Sequence, residues 1–233
     1  MAKINPTEGR KREPILCLVV DRGAVRGDLT RCVAAAVGAG VDWVQIRERD
    51  LEGAALLAHA EQIGRAARQA AAQRGGRVEI FVNRRIDIAL ALAADGVQLG
   101  FDAVDPKTAR RLLGTDVRIG ISAHHPDEIR TAPPEVDCAQ LAPIAQPLSK
   151  QHAGPTLGVR AVAEAARCDI PVIAQGGITA ANATAIAAAG AAGIAVTGTI
   201  LSAPDPAVAT RALRAALAAA SRSRPGTSPS APL

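Results

Sequence analysis

The stretch AGVDWVQIRERD, residues 39–50, holds the reading that decides the fold. Glycine just past a helix relieves left-handed strain, so Ala39-Gly40 marks a helix end. Val41, Trp43, Val44 and Ile46 follow at once as strand formers. Gln45, Arg47 and Arg49 recur at period 2 and share one face of that strand, a face polar enough to require a polar setting. The same junction recurs in ADGVQLG (94–100) and AGAAGIAVTG (189–198), each passing from Ala/Gly directly into a Val/Ile strand.

Outward from these junctions the alternation of short apolar runs with Ala-rich helical segments repeats eight times. Strands are predicted near 15–20, 42–46, 78–82, 96–99, 117–121, 137–142, 171–174 and 193–197, with helices near 27–39, 52–73, 86–93, 106–113, 126–131, 158–167, 180–189 and 205–220. Eight such units predict a single-domain α/β fold, a (β/α)8 TIM barrel, over an open doubly wound sheet. The barrel spans 14–220. Residues 1–13 read as a basic N-terminal arm and the Ser/Pro/Gly-rich 221–233 as a disordered tail.

Composition narrows the function classes. The net charge of +5 is partly local, since the first thirteen residues hold four basic and two acidic side chains. With Trp43, Phe81 and Phe101 as the only aromatics, the chain has no platform for stacking bases, and nucleic acid is excluded as a partner. The four cysteines, Cys17, Cys32, Cys138 and Cys168, show no metal-ligand spacing and read as reduced thiols, which argues against zinc and for a cytoplasmic protein. No apolar run approaches the ~18 residues that span a bilayer, so no membrane partner is expected.

In a barrel of this kind the site lies at the C-terminal ends of the strands. Strand 2 ends in Gln45, Arg47 and Arg49; strand 3 in Asn83, Arg84 and Arg85; strand 5 in Ser122, His124 and His125. Strand 6 leads into APIAQPLSKQHAG with Ser149, Lys150 and His152, strand 7 into AQGGIT, and strand 8 into TGT. Cationic and hydrogen-bonding groups dominate, as suits an anionic phosphate or diphosphate ester. Gly176, Gly177, Thr197 and Gly198 fall in the loops after strands 7 and 8, where phosphate sites recur in these barrels. The plainer readings are a turn at Gly176-Gly177, an Asx turn at Asn83, a solvated Lys150, and ion pairing of Arg47 with Glu48 or Asp50. His124 is a candidate general acid/base.

The ordered set QIRERD, VNRRIDIALALAADGVQLG, GISAH, the Pro-rich loop ending in Ser149-Lys150, PVIAQGGIT and GIAVTGTI resembles the thiamine phosphate synthase/TenI family over residues 14–220. The resemblance implies chemistry on a thiazole phosphate. In the synthases a pyrimidine diphosphate ionises and the thiazole nitrogen captures the carbocation, with Mg²⁺ and cations on the leaving diphosphate. It also implies substrate contacts for Gln45, Arg49, Asn83, Ser122, Ser149, Gly176, Gly177, Thr197 and Gly198, and catalytic roles for Arg47, Lys150 and His124.

Two departures bear on the branch. Where synthases carry metal-binding aspartates after strands 3 and 4, this chain has Arg84 and Ala103. With IRER, VN followed by Arg, VQL, Pro106-Lys107 and His124, the pattern resembles the TenI branch. The expectation is therefore a thiazole tautomerase with His124 as proton shuttle, no metal and no cofactor, and a possible homodimer. The alternatives are a Mg²⁺-using thiamine phosphate synthase and a non-catalytic phosphate-binding barrel.

Overall fold

Eight parallel strands close on themselves in chain order, β1 pairing with β8 as well as with β2. The computed structural model describes residues 13–25, 27–146 and 155–223. The described residues run β1 (Ile15–Val20), α1 (Leu29–Gly38), β2 (Trp43–Ile46), α2 (Gly53–Gln73), β3 (Glu79–Asn83), α3 (Ile86–Ala91), β4 (Gly96–Leu99), α4 (Pro106–Leu113) and β5 (Arg118–Ala123). They continue through α5 (Pro126–Arg130), β6 (Cys138–Leu141), α6 (Gly158–Ala165), β7 (Val172–Gln175), α7 (Ala180–Ala188), β8 (Gly193–Val196), α8 (Gly198–Leu201) and α9 (Pro206–Ser223). The fold is the expected TIM barrel. No helix among the described residues is long and apolar enough to cross a membrane.

The strands alternate between two cores. Leu16, Leu18, Val44, Ile46, Ile80 and Ile119 are buried in the larger cluster, with the apolar helix residues Val33, Ile63, Ile186 and Leu213. The intervening residues Cys17, Val19, Trp43, Phe81, Cys138, Ile173 and Ala195 form a second cluster. Trp43 and Phe81 stack at 4.6 Å, and a Cβ on Gly96 would come within 2.6 Å of the Phe81 ring. Glycine there makes room for the aromatic that fills the barrel.

Burial raises the Cys17 thiol pKa and pushes that of Cys138 up to about 12, so both behave as small apolar groups.

A repeat too faint to stand out in the sequence becomes plain in space. Asp42, Asp95 and Asp137 precede β2, β4 and β6, and each carboxylate accepts a backbone N–H from the preceding strand: Leu16 at 2.9 Å, Ile80 at 2.8 Å and Ile119 at 2.8 Å. Each also pairs with an arginine, Arg214, Arg77 and Arg110 respectively. Three residues after each aspartate stands a glutamine: Gln45, Gln98 and Gln140, which at 2%, 1% and 5% exposure are buried polar groups.

Two elements differ from expectation. The helix after β8 is preceded by the short α8, which starts at Gly198; four residues are too few to show a helical period, and TGT reads as loop. Helix α9 runs through Ser223, into the segment read as tail, with Leu213, Leu217 and Ala220 buried along its face. Residues 1–12 and 224–233, which hold the rest of the arm and tail, lie outside the described residues.

Candidate active site

The strand registers set the floor of the site. Gln45 pairs in register with Val19 and Phe81, Gln98 with Asn83 and Gly120, and Gln140 with Ser122 and Ile173. Alternate strands thus contribute Gln45, Gln98, Gln140 and Ala195 to one layer, as barrels of this kind build their interiors. Gln140 Nε2 donates to Gln45 Oε1 at 2.9 Å from the opposite side of the barrel, and Gln98 Nε2 donates to Ser122 Oγ at 3.2 Å. Buried amides are stable only when paired in this way. They make a polar, uncharged floor.

Above it opens a cavity of about 860 Å³ at the C-terminal ends of the strands. Gln45, Arg47, Arg49, Asn83, Ser122, His124, Gly176, Gly177, Thr197 and Gly198, all predicted from sequence, lie on its lining. Ser149 and Lys150 lie outside the described residues.

The arginine rim settles one question left by the sequence. Glu48 and Asp50 do not pair with Arg47. Arg22 takes both, its N–H donating to Glu48 Oε1 at 3.0 Å and its guanidinium reaching Asp50. His59 Nε2 lies 3.3 Å from Glu48 Oε1 without making a hydrogen bond. Among the described residues Arg47 and Arg49 therefore have no ion-pair partner. Burial first, then the charges of Arg49 and Arg84, pull the Arg47 guanidinium below its usual pKa, with Asp21 opposing. A cation so placed is stabilised by an incoming anion.

Arg84 is set by an unusual backbone. Its φ is 63°, and Arg85 N–H donates to Asn83 C=O across it at 2.8 Å, a three-residue turn. Left-handed backbone costs a residue bearing a Cβ about 1–2 kcal/mol. Arg84 Nη1 meets Asp102 Oδ2 at 2.6 Å, and this bond holds the Asp102 carboxyl below its usual pKa.

Across the mouth, His124 Nδ1 lies 2.6 Å from the Ala142 carbonyl. A carbonyl can only accept, so Nδ1 carries the proton and Nε2 remains for another partner. Phe101, 69% exposed, stacks on the His124 ring at 5.0 Å.

On the opposite side, Gly176 and Gly177 have φ of 93° and 62°. A Cβ on Gly176 would stand 2.9 Å from Pro143 Cα, and one on Gly177 would stand 2.5 Å from the Ala145 carbonyl carbon. These glycines bring the β7 loop against the β6 loop, where Ile144 and Ala145 N–H donate to Gln175 and Gly176 C=O. Asn182, on α7, accepts from Thr179 N–H at 2.9 Å and donates to Gly177 C=O at 2.9 Å. Thr199 Oγ1 donates to Ile178 C=O at 2.6 Å, tying the β8 loop to the β7 loop. The plain turn reading of Gly176-Gly177 is thus satisfied.

Sequence reasoning missed Gln98, Gln140, Phe101 and Asn182. The threefold Asp-x-x-Gln spacing could have found the glutamines, and Thr179-x-x-Asn182 is a capping-box signal. Nothing local singles out Phe101.

A sequence profile of the family described as thiamine monophosphate synthase matches residues 16–200. A thiamine-phosphate synthase of Roseiflexus castenholzii is 35% identical over 90% of this chain and 90% of its own length. One of Laribacter hongkongensis is 36% identical over 87% and 91%. Among solved structures, a thiamine phosphate pyrophosphorylase from Pyrococcus furiosus superposes with a TM-score of 0.73 at 26% identity, covering 88% of this chain and 96% of its own.

These relatives overturn the tautomerase expectation and favour the synthase alternative. The expectation rested on lost carboxylates at 84 and 103. Their loss removes ligands for one ion and leaves the transfer chemistry open, since a leaving diphosphate needs positive charge that guanidinium groups also carry.

Mg²⁺, which the synthase resemblance implies, does not fit the described residues. The carboxylates on the lining, Glu48 and Asp102, are held by Arg22 and Arg84 respectively. Ala103 offers no side-chain oxygen, and no group of three His, Cys, Asp or Glu side chains among the described residues could hold a metal.

Proposed function

We propose that this chain, which belongs to the thiamine monophosphate synthase family, joins a pyrimidine diphosphate to a thiazole phosphate and releases diphosphate. The observation that carries the reading is the rim of Arg47, Arg49 and Arg84, two of them without an ion-pair partner among the described residues, above a floor of paired amides. Such a site suits an uncharged heteroaromatic ring attached to a polyanion.

In this reading the bond between the pyrimidine methylene carbon and the diphosphate oxygen breaks first, and its electron pair leaves on that oxygen. The lone pair of the thiazole nitrogen then forms the new C–N bond to the carbocation. No proton need move in either step. Catalysis is electrostatic: Arg47, Arg49 and Arg84 bind more tightly as charge accumulates on the leaving oxygen.

Gln45, Asn83 and Ser122 are assigned to the pyrimidine, and the loops of Gly176, Gly177, Thr197 and Gly198 to the thiazole phosphate. Ser149 and Lys150 are assigned to the diphosphate on the resemblance. His124, with Nδ1 committed to Ala142, offers Nε2 as a hydrogen-bond partner to the substrate.

The test is formation of thiamine phosphate from the two substrates by the purified chain. Arg47→Ala should lower kcat/KM by about 100-fold, the size of effect seen when one donor to a developing anion is removed. Failure of the wild-type chain to form product under any condition would remove the reading.

A further inference from the structure

We propose that Arg47, Arg49 and Arg84 form a guanidinium clamp that takes the diphosphate end of the substrate without a divalent cation. The inference deepens the transferase reading and rests on it for the identity of the ligand.

Three features carry it. The Arg22 guanidinium pairs with Glu48 at 3.5 Å and with Asp50, the acidic neighbours of Arg47 and Arg49, and so leaves both arginines free of ion pairs among the described residues. Arg47 is half-buried and feels the charges of Arg49 and Arg84. Arg84 holds a left-handed turn at the end of β3, where a residue with a Cβ is disfavoured. Strain retained at the rim of a cavity is the pattern of a residue kept for what it contacts.

A diphosphate ester has several anionic oxygens, and arginine forks match them in pairs. A divalent cation brought to the same rim would meet three like charges, and the two carboxylates on the cavity lining, Glu48 and Asp102, already face Arg22 and Arg84.

The probe is inorganic pyrophosphate, titrated calorimetrically into the full chain in EDTA and again in Mg²⁺. The clamp requires binding in EDTA that Mg²⁺ does not tighten. Arg47→Ala and Arg84→Ala should each weaken it about 10- to 100-fold, the worth of one charged hydrogen-bonding group. Arg84→Asn, which tolerates the left-handed backbone, guards against a folding artefact and should weaken binding equally. Arg84→Asp should abolish metal-free binding and make it respond to Mg²⁺.

Wild-type binding that requires Mg²⁺, or arginine variants that bind as well as wild type in EDTA, would overturn the clamp. Product formation separates the two readings. Synthesis only with Mg²⁺ keeps the transferase and removes the clamp. Metal-free pyrophosphate binding with no synthesis under either condition does the reverse.

Discussion

Replacing Gly177 by alanine should destabilise the chain, whereas the same change at Gly198 should not. At Gly177 the φ of 62° costs an alanine about 1–2 kcal/mol. Its Cβ would also lie 2.5 Å from the Ala145 carbonyl carbon and against Gln146 O, all backbone that must move. Forcing one carbon into a packed position costs about 1–3 kcal/mol more. The sum is about 2–5 kcal/mol, and at about 2–4 °C per kcal/mol for a chain of this size Tm falls by about 4–20 °C. At Gly198 a Cβ meets only Ser202 Oγ at 3.6 Å, an ordinary contact, and the residue opens α8, where alanine is a better helix former. Scanning calorimetry of the two variants decides the matter. A Gly177→Ala protein melting within about 2 °C of wild type, or a Gly198→Ala protein falling as far, would refute the steric account of the β6–β7 loop contact.

Arg110→Ala should cost about 2–3 kcal/mol in urea denaturation and leave KM unchanged, because its guanidinium donates to Gly114, Val117 and Glu135 carbonyls and to Asp137, all away from the cavity. Asp102→Asn should tighten pyrophosphate binding by about two- to fivefold, since the exposed carboxylate competes with the ligand for Arg84; weaker binding in calorimetry would show that Asp102 positions Arg84 instead. Burial raises the Glu48 pKa, so just above the ordinary glutamate value the folded state holds more of that proton than the unfolded. This group alone therefore lowers stability as pH rises through that window, and Glu48→Gln should remove its share of the slope, read as Tm against pH from 4 to 7.

The fold was legible because each local signal agreed with the next. Gly40 and Gly190 end helices, Asp28 and Asp105 cap α1 and α4, Pro106 opens α4, and the buried strands read as short, largely apolar runs. The rim was legible for a similar reason: charges at strand ends have few places to go in a barrel.

What could not be read was pairing at a distance. Arg47 stands next to Glu48 in sequence, yet Arg22 takes that glutamate from the end of β1. Nor does the left-handed turn at Arg84 follow from Val-Asn-Arg-Arg, since nothing there asks for positive φ. The branch expectation failed at the same place. Counting carboxylates by position took Arg84 as the loss of a metal ligand, although the same positive charge also suits a leaving diphosphate.

The Asp-x-x-Gln repeat shows how one sequence device serves both ends of the barrel. Its aspartates bind backbone N–H groups and arginines at the N-terminal face, the end of such barrels that carries stability. Its glutamines, three residues on, stand beneath the cavity. On β8 the pattern breaks: Ala192 and Ala195 occupy the corresponding places. Ala192 keeps the ladder bonds that the aspartates make through their backbone, its N–H donating to Val172 C=O and its carbonyl accepting from Ile15 N–H, and lacks the carboxylate that would take a further N–H from β7. The missing glutamine leaves the floor short of one amide on the side where the Gly177 and Gly198 loops meet. Within that layer the floor is amide on β2, β4 and β6 and apolar on β8, at Ala195, while Gln175 lines the cavity at the end of β7. A ligand with a sulfur heterocycle on a phosphate at one side and a nitrogen-rich ring on a diphosphate at the other matches that asymmetry, which a symmetric ring of four glutamines would erase. Ala195→Gln should accordingly impair binding of thiazole phosphate more than binding of pyrophosphate, and an equal loss of both in calorimetry would sink this division of the cavity.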